Sequence, residues 1–387
     1  MNDSKIVSLQ RCETYEESAV EACVRQQFDD LGGIEKYIQP GDRVLLKVNL
    51  LMKKKPEEAT TTHPAVVKAL AKILIAHGAS VLIGDSPGGP FIESLTRAIY
   101  TATGMERVAA ETGATLNHNL SAFHKENPDG LLLKRIELTD MLNDVDKVIS
   151  VSKMKTHGMM AFTGAVKNLF GTVPGLTKAE YHLNMPSHEQ FADALIDICL
   201  CVKPVLAFMD GIVAMEGHGP SGGSPRPMNV LLASDDPFAL DKTACAIINL
   251  SEDRVPLLAQ AAARGICQEG LDEITFKGAP WTDFIVFDFD IPQTHLVMNP
   301  KALPGILTKF VNRHLQPRPI FTHEKCTGCA DCAKNCPAKV IEMRDRRPYV
   351  SLDNCIRCFC CQELCPKNDI KAYRPKLLRL LSRSKKK

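Results

Sequence analysis

Three short pieces carry the reading of the fold: Val44-Leu45-Leu46-Lys47-Val48-Asn49-Leu50, then Thr62-His63-Pro64, then Ser80-Val81-Leu82-Ile83-Gly84-Asp85-Ser86. The outer two are apolar runs of strand length. The middle one opens a helix, with proline in its first turn and Ala65, Val66, Ala69, Leu70, Ile73 and Leu74 recurring at helical spacing until Gly78. Strand, helix, strand is the parallel unit of α/β folds. Such sheets place their sites at the carboxyl ends of strands, where this chain has Asp85-Ser86-Pro87-Gly88-Gly89-Pro90. Alternation along the first strand sets Lys47 and Asn49 on one face with Leu45. A lysine there is costly to bury unless an anion meets it or the strand end opens to solvent.

Outward from this unit the theme repeats. Residues 15–37 read as a helix, 91–112 as helical, and the apolar runs 131–138 and 147–151 as strands. A helix follows at about 189–202, then a strand at 205–208 running into Met209-Asp210-Gly211, a strand at 229–233, and a helix from Asp236-Pro237 to about 249. This alternation predicts an α/β class fold, residues 1–291 forming a large domain with a mainly parallel sheet flanked by helices. Four prolines (Pro292, Pro300, Pro304, Pro317) mark residues 292–317 as a connector. Within the large domain, residues 152–171 stand out. Lys153, Lys155 and His157 share one face if the strand stays extended, and from 161 the spacing turns helical, with Lys167 beside the apolar face of Phe162, Val166, Leu169 and Phe170.

Past the connector, Cys326-x2-Cys329-x2-Cys332-x3-Cys336-Pro337 recurs 29 residues later as Cys355-x2-Cys358-x2-Cys361-x3-Cys365-Pro366. Pro319 and Pro348 stand seven residues before each run, so the copies are an internal repeat. Paired CxxC units also make zinc sites, but two identical four-cysteine runs, each with a trailing proline, suit iron–sulfur cubanes better. The runs resemble bacterial two-cluster ferredoxins, in which the fourth cysteine of each run serves the other cluster. That arrangement assigns Cys326, Cys329, Cys332 and Cys365 to one 4Fe–4S cluster, and Cys355, Cys358, Cys361 and Cys336 to a second. Residues 318–370 are therefore expected to form a small α+β ferredoxin-like domain, with Cys360 a packed or spare thiol.

Composition bounds the rest. The chain has 387 residues, 45% hydrophobic and 24% charged, with a formal net charge of +2, which argues for an ordinary globular protein without a field for nucleic acid. The seven remaining cysteines show no pairing pattern, and neither a signal peptide nor an apolar run long enough to span a bilayer appears, so a cytoplasmic protein is expected. The basic tail 371–387 holds eight Lys or Arg and no acid, and offers peripheral contact with an anionic membrane or a partner. Gly217-His218-Gly219-Pro220-Ser221-Gly222 is a literal GxGxxG, but proline in fourth place and the following Ser224-Pro225-Arg226-Pro227 deny it the helix of a dinucleotide site. No P-loop and no CxxCH occur.

At Lys47-Val48-Asn49-Leu50, Thr62-His63-Pro64, Gly84-Asp85-Ser86, Lys153-Met154-Lys155-Thr156-His157, Gly164-Ala165-Val166-Lys167-Asn168-Leu169-Phe170-Gly171, Asp210-Gly211, Gly217-His218-Gly219-Pro220 and Asp236-Pro237-Phe238-Ala239-Leu240-Asp241, the chain resembles the DUF362 family. The resemblance covers about residues 1–290. It implies the architecture, often with a C-terminal two-cluster ferredoxin module, but no catalytic roles.

The expected function is that of an oxidoreductase passing electrons between two 4Fe–4S clusters and a small anionic substrate, with a redox protein as donor or acceptor. Lys155, His157, Lys167 and Asp210 are the candidate catalytic groups. Lys47, Asn49, Asp85, Ser86, Lys153, Asn168, Gly217 and Gly219 are the candidate binding groups; the alternative for Lys47, Lys153, Lys155, His157 and Lys167 is pairing with the chain's own acids, including Asp85, Asp210 and Asp241. The alternatives are a non-enzymatic electron carrier or assembly subunit, and a cluster-independent isomerase or lyase.

Overall fold

A computed structural model describes residues 5–185, 187–292 and 317–373. In chain order, β1 (Lys5–Arg11) and α1 (Glu17–Asp30) precede β2 (Arg43–Val48), α2 (Pro64–Ala76) and β3 (Ser80–Gly84). His63 caps α2, its Nδ1 accepting from Ala65 N at 3.2 Å, and Pro64 occupies the first turn, where no amide is missed. Helix α1 is shorter than the expected 15–37, because Gly32 and Gly33 take φ of +98° and +97° and turn the chain out of it.

Next come α3 (Glu93–Thr103), α4 (Met105–Thr112), β4 (Thr115–Leu116), β5 (Ala122–Glu126) and β6 (Arg135–Thr139). The apolar run at 131–133 is a loop rather than strand, since its three amides donate to the Asp197 carboxylate at 2.7 to 3.0 Å. Then β7 (Lys147–His157) runs without a break through the lysine-rich motif into β8 (Ala161–Thr163), α5 (Ala165–Asn168), α6 (Thr177–Asn184), α7 (His188–Val202), β9 (Leu206–Glu216), β10 (Ser224–Ser234), α8 (Pro237–Ile247), α9 (Pro256–Ala263) and β11 (Ile274–Gly278).

The main sheet has the order β11-β1-β10-β9-β7-β2-β3-β4, with β8 folded back on β7. Pairings around β7, β2, β3 and β4 are parallel, as is β1 with β11, while β10 is antiparallel to both neighbours. The sheet is thus mostly parallel, with an antiparallel insertion toward one edge. Both faces are covered, as buried parallel strands require. Val44, Leu46 and Val48 join the core under α1, α2 and α4, whereas Leu45 joins the core under α5, α7, α8 and α9. Lys47, between Leu46 and Val48, points to the second side and sits against Asn168 of α5.

The C-terminal unit is built from two small antiparallel pairs, β12 (Arg318–Phe321) with β15 (Ile370–Tyr373) and β13 (Ile341–Arg344) with β14 (Arg347–Val350). Short helices Asp331–Lys334 and Cys360–Glu363 follow its two cysteine loops. Most of the expected connector (293–316) and most of the basic tail (374–387) lie outside the described residues.

Candidate functional site

Cys326, Cys329, Cys332 and Cys365 surround one void of about 380 Å³, closed by Pro366, Asp369 and Ile370. Three thiols come from one loop and the fourth from the other repeat. Among the described residues no three His, Cys, Asp or Glu side chains converge on a point that suits a single ion. The four sulfurs instead ring a space, the donor set a multi-iron cluster takes. Asp369 N donates to Cys365 Sγ at 3.3 Å, the kind of contact that tunes a cluster. In the second run, Cys336 of the first repeat is close enough to act on Cys355 and Cys361. Cys355 and Cys361 are raised by burial first, and both feel the charges of Cys358 and Cys336.

In the large domain the basic residues divide into two groups. In the first, Lys47 Nζ lies 2.7 Å from Asp85 Oδ1, and Lys153 Nζ 2.7 Å from Asp210 Oδ2. All four side chains are buried. Gly171 is required beside the first pair, because a Cβ there would overlap Asp85 and Lys47. Asp210 is saturated further: it accepts from Tyr15 Oη at 2.9 Å and His63 N at 3.0 Å, and Tyr15 stacks on His63.

The second group lines a cavity of about 850 Å³ of empty space, mouth included, between the sheet's carboxyl ends and the second cysteine loop. Lys155, Lys167 and Lys178 border it, with Asn49, Asp85, Ser86, Asn168 and His182, and with Phe170, Leu51 and Leu176 as apolar wall. Cys360, Glu363 and Leu364 close one side. Lys155 Nζ donates to Asn49 Oδ1 and Thr60 O, both at 2.7 Å, and Lys178 Nζ to Ser86 O at 2.6 Å and Ser86 Oγ at 2.9 Å. Neither has a bonded carboxylate among the described residues. Burial, then repulsion from Lys167, brings Lys155 down to about 7. Lys178 falls to about 7 as well, again chiefly by burial, with Asp85 opposing and Lys47 and Lys167 assisting. Lys167 thus acts on both Lys155 and Lys178, and three lysines border one cavity.

His157 stands behind this cavity. Its Nδ1 accepts from Met159 N and Met160 N at 3.1 and 3.2 Å, so the ring proton is on Nε2. Nε2 is 3.1 Å from Glu363 Oε1, at contact distance though out of line for a full hydrogen bond. Burial, then Lys167, holds the ring down at about 4, so it is neutral at pH 7. Glu363 stays ionised at about 2: burial opposes this and is outweighed by His157 and Lys167.

Of the residues expected from sequence, Asn49, Asp85, Ser86, Lys155, Lys167 and Asn168 line the cavity together. Lys47, Lys153, His157 and Asp210 do not, because each of them is held by a partner in the protein. Gly217 and Gly219 are also outside the lining, which Pro220 joins instead. Gly219 lies against Thr156, where a Cβ would overlap the backbone. Sequence reading missed Lys178 and His182. They are four residues apart on α6 and so share a helical face, a spacing that could have flagged them. No helix among the described residues is long and apolar enough to cross a membrane.

The family described as "Domain of unknown function (DUF362)" matches residues 44–246, and a 4Fe-4S dicluster domain matches residues 318–366. A thylakoid-associated protein of Synechocystis sp. is 31% identical over 331 residues, covering 82% of this chain and 98% of that protein. Among solved structures, the lactate racemase apoprotein from Thermoanaerobacterium thermosaccharolyticum aligns over 62% of this chain and 56% of that chain, with 13% identity and a TM-score of 0.37. The lysine-rich strand, the glycine at 171 and the cysteine repeats all fall within the matched spans, and the chain belongs to the DUF362 family, with a 4Fe-4S dicluster domain behind its α/β domain.

Proposed function

We propose that the chain is an iron–sulfur oxidoreductase. A small anion binds among Lys155, Lys167 and Lys178, and electrons pass between it and a pair of 4Fe–4S clusters held by the crossed cysteine sets. One observation carries this reading: Cys360, Glu363 and Leu364, which wall the cavity, lie in the same loop and helix as the ligands Cys358, Cys361 and Cys365. When bound, the clusters supply single electrons. The chain's own residues bind the anion, exclude water with Phe170 and Leu364, and hold His157 neutral against Glu363.

Two complete ligand sets call for about eight iron per chain in anaerobically reconstituted protein; stoichiometric zinc overturns the assignment. The reaction is tested by reducing the clusters and adding small carboxylates and phosphate esters while following the visible absorbance. Saturable reoxidation by one class supports an oxidoreductase. Electron exchange only with other redox proteins makes the chain a carrier. Lys155, titrating at about 7, favours a second reading as an acid–base isomerase or lyase, and turnover that survives cluster removal would establish it.

That none of the fifteen cysteines is joined in a disulfide, with eight of them proposed as cluster ligands, supports a reducing, cytoplasmic setting. The basic tail, with the thylakoid-associated name of the Synechocystis relative, supports peripheral contact with a membrane surface.

A further inference from the structure

Lys155 has one acceptor fewer than the other lysine of the cavity that bonds only neutral oxygens: Lys178 Nζ has three, Ser86 O, Ser86 Oγ and Pro87 O, at 2.6, 2.9 and 3.2 Å, and Lys155 Nζ has two. Its two partners, Asn49 Oδ1 and Thr60 O, are neutral oxygens, each at 2.7 Å. An ammonium has three donors and no lone pair, whereas a neutral amine has two donors and one lone pair. Two acceptors therefore match the neutral form and leave the lone pair unengaged. Asn49 itself borders the cavity, which puts Nζ at its wall. Lys47 and Lys153, by contrast, each have a carboxylate at 2.7 Å.

Two further groups look into the same space. Lys167 makes no hydrogen bond or ion pair among the described residues, and its Nζ lies 5.8 Å from the centroid of Phe170. His182 is 7% exposed, stacks on Phe191, and leaves Nδ1 without a partner. A nucleophilic amine, an uncommitted cation and an unpartnered imidazole nitrogen thus border one cavity with an apolar wall.

We propose that Lys155 forms a Schiff base with a small 2-oxo acid in this cavity, an inference that rests on the reading of the cavity as an anion site. Lys167 meets the carboxylate, and Phe170 and Leu51 pack the short carbon chain. The Nζ lone pair adds to the carbonyl carbon while the C=O pair moves to oxygen. His182 Nδ1 accepts the hydrogen bond of the resulting hydroxyl group. Loss of that oxygen as water, with one proton taken from solvent, leaves a protonated imine. Neutral amine, ketone and one proton give iminium and water, and no electron is exchanged. Burial and Lys167 keep a useful fraction of Lys155 neutral at pH 7.

The test uses the full-length, cluster-loaded protein under anaerobic conditions, with 2-oxobutyrate as probe and 2-hydroxybutyrate as the control that keeps the charge and lacks the carbonyl. Cyanoborohydride is added, the protein digested and adducts mapped by mass spectrometry. A single adduct per chain on Lys155, blocking tryptic cleavage there and diminished by excess 2-hydroxybutyrate, is the expected result. Calorimetric binding of both acids with no adduct, or with adducts scattered over surface lysines, overturns the Schiff base and leaves the anion site standing. Binding of neither acid overturns both. Because the mapping uses the unmutated chain, it does not depend on any variant folding.

Discussion

Lys153 and Lys155 stand two residues apart on one strand, and the protein treats them in opposite ways. Lys153 lies in register with Asp210 of β9 and is neutralised by it. Between Lys153 and Lys155 the register slips, so that Lys155 faces Met215 and has neutral oxygens as its only bonded partners among the described residues. A bulge in a sheet thus decides which cation belongs to the fold and which is left for a ligand. The same division separates Lys47, paired with Asp85, from Lys167 across the cavity.

Removing one partner of a buried pair should have the largest effect. Asp210→Asn leaves Lys153 uncompensated and should lower stability by about 3–5 kcal/mol in denaturant titrations; a loss near zero would mean the two groups of lysines are not distinct. Asp85→Asn converts Lys47 into an open cation. It should cost toward the lower end of about 3–5 kcal/mol, because the cavity admits water, and should tighten anion binding in calorimetry. Lys155→Met should do the reverse, folding with both clusters intact while weakening binding by about 1.5–3 kcal/mol. Lost stability with unchanged binding would move Lys155 into the paired group.

The smallest effect per unit of pH is a slope in stability. Lys155 and Lys178 titrate at about 7 in the folded chain, well below the ordinary lysine value of 10.5. Between those values the unfolded chain binds more protons, so stability should rise with pH from about 7 to 10.5, by at most about 1.4 kcal/mol per unit for each group. The penalty is fully present below pH 7. Anion affinity should run the other way, increasing as pH falls through 7 and both lysines charge. A slope about halved in Lys155→Met relative to the parent, the remainder belonging to Lys178, would assign the effect.

The strand–helix–strand unit and the cysteine repeats were legible because their signals are local: periodicity, Pro64, Asp236-Pro237, and fixed ligand intervals. The pairing of Lys153 with Asp210 was not, since 57 residues separate them and only the sheet order joins them. Nor was the bulge, which depends on how β9 continues past Gly211 rather than ending there as its sequence suggested. Lys178 and His182 went unread because residues 172–188 offered no apolar period strong enough to mark α6. The cavity's second wall was illegible for a different reason: it comes from the other domain, where Cys360 reads as a packed or spare thiol and Glu363 carries no signal.

That shared wall joins two measurements that are usually made separately. The helix Cys360–Glu363 lines the cavity and contains Cys361, so in the proposed assignment occupancy and oxidation state would act on the same few atoms. Thermodynamic linkage then makes them reciprocal. An occupant that prefers one oxidation state tenfold displaces the midpoint potential by about 59 mV for a one-electron couple. A voltammogram recorded with and without a candidate molecule is therefore also a binding assay, and it can identify an occupant before any reaction of that molecule is known.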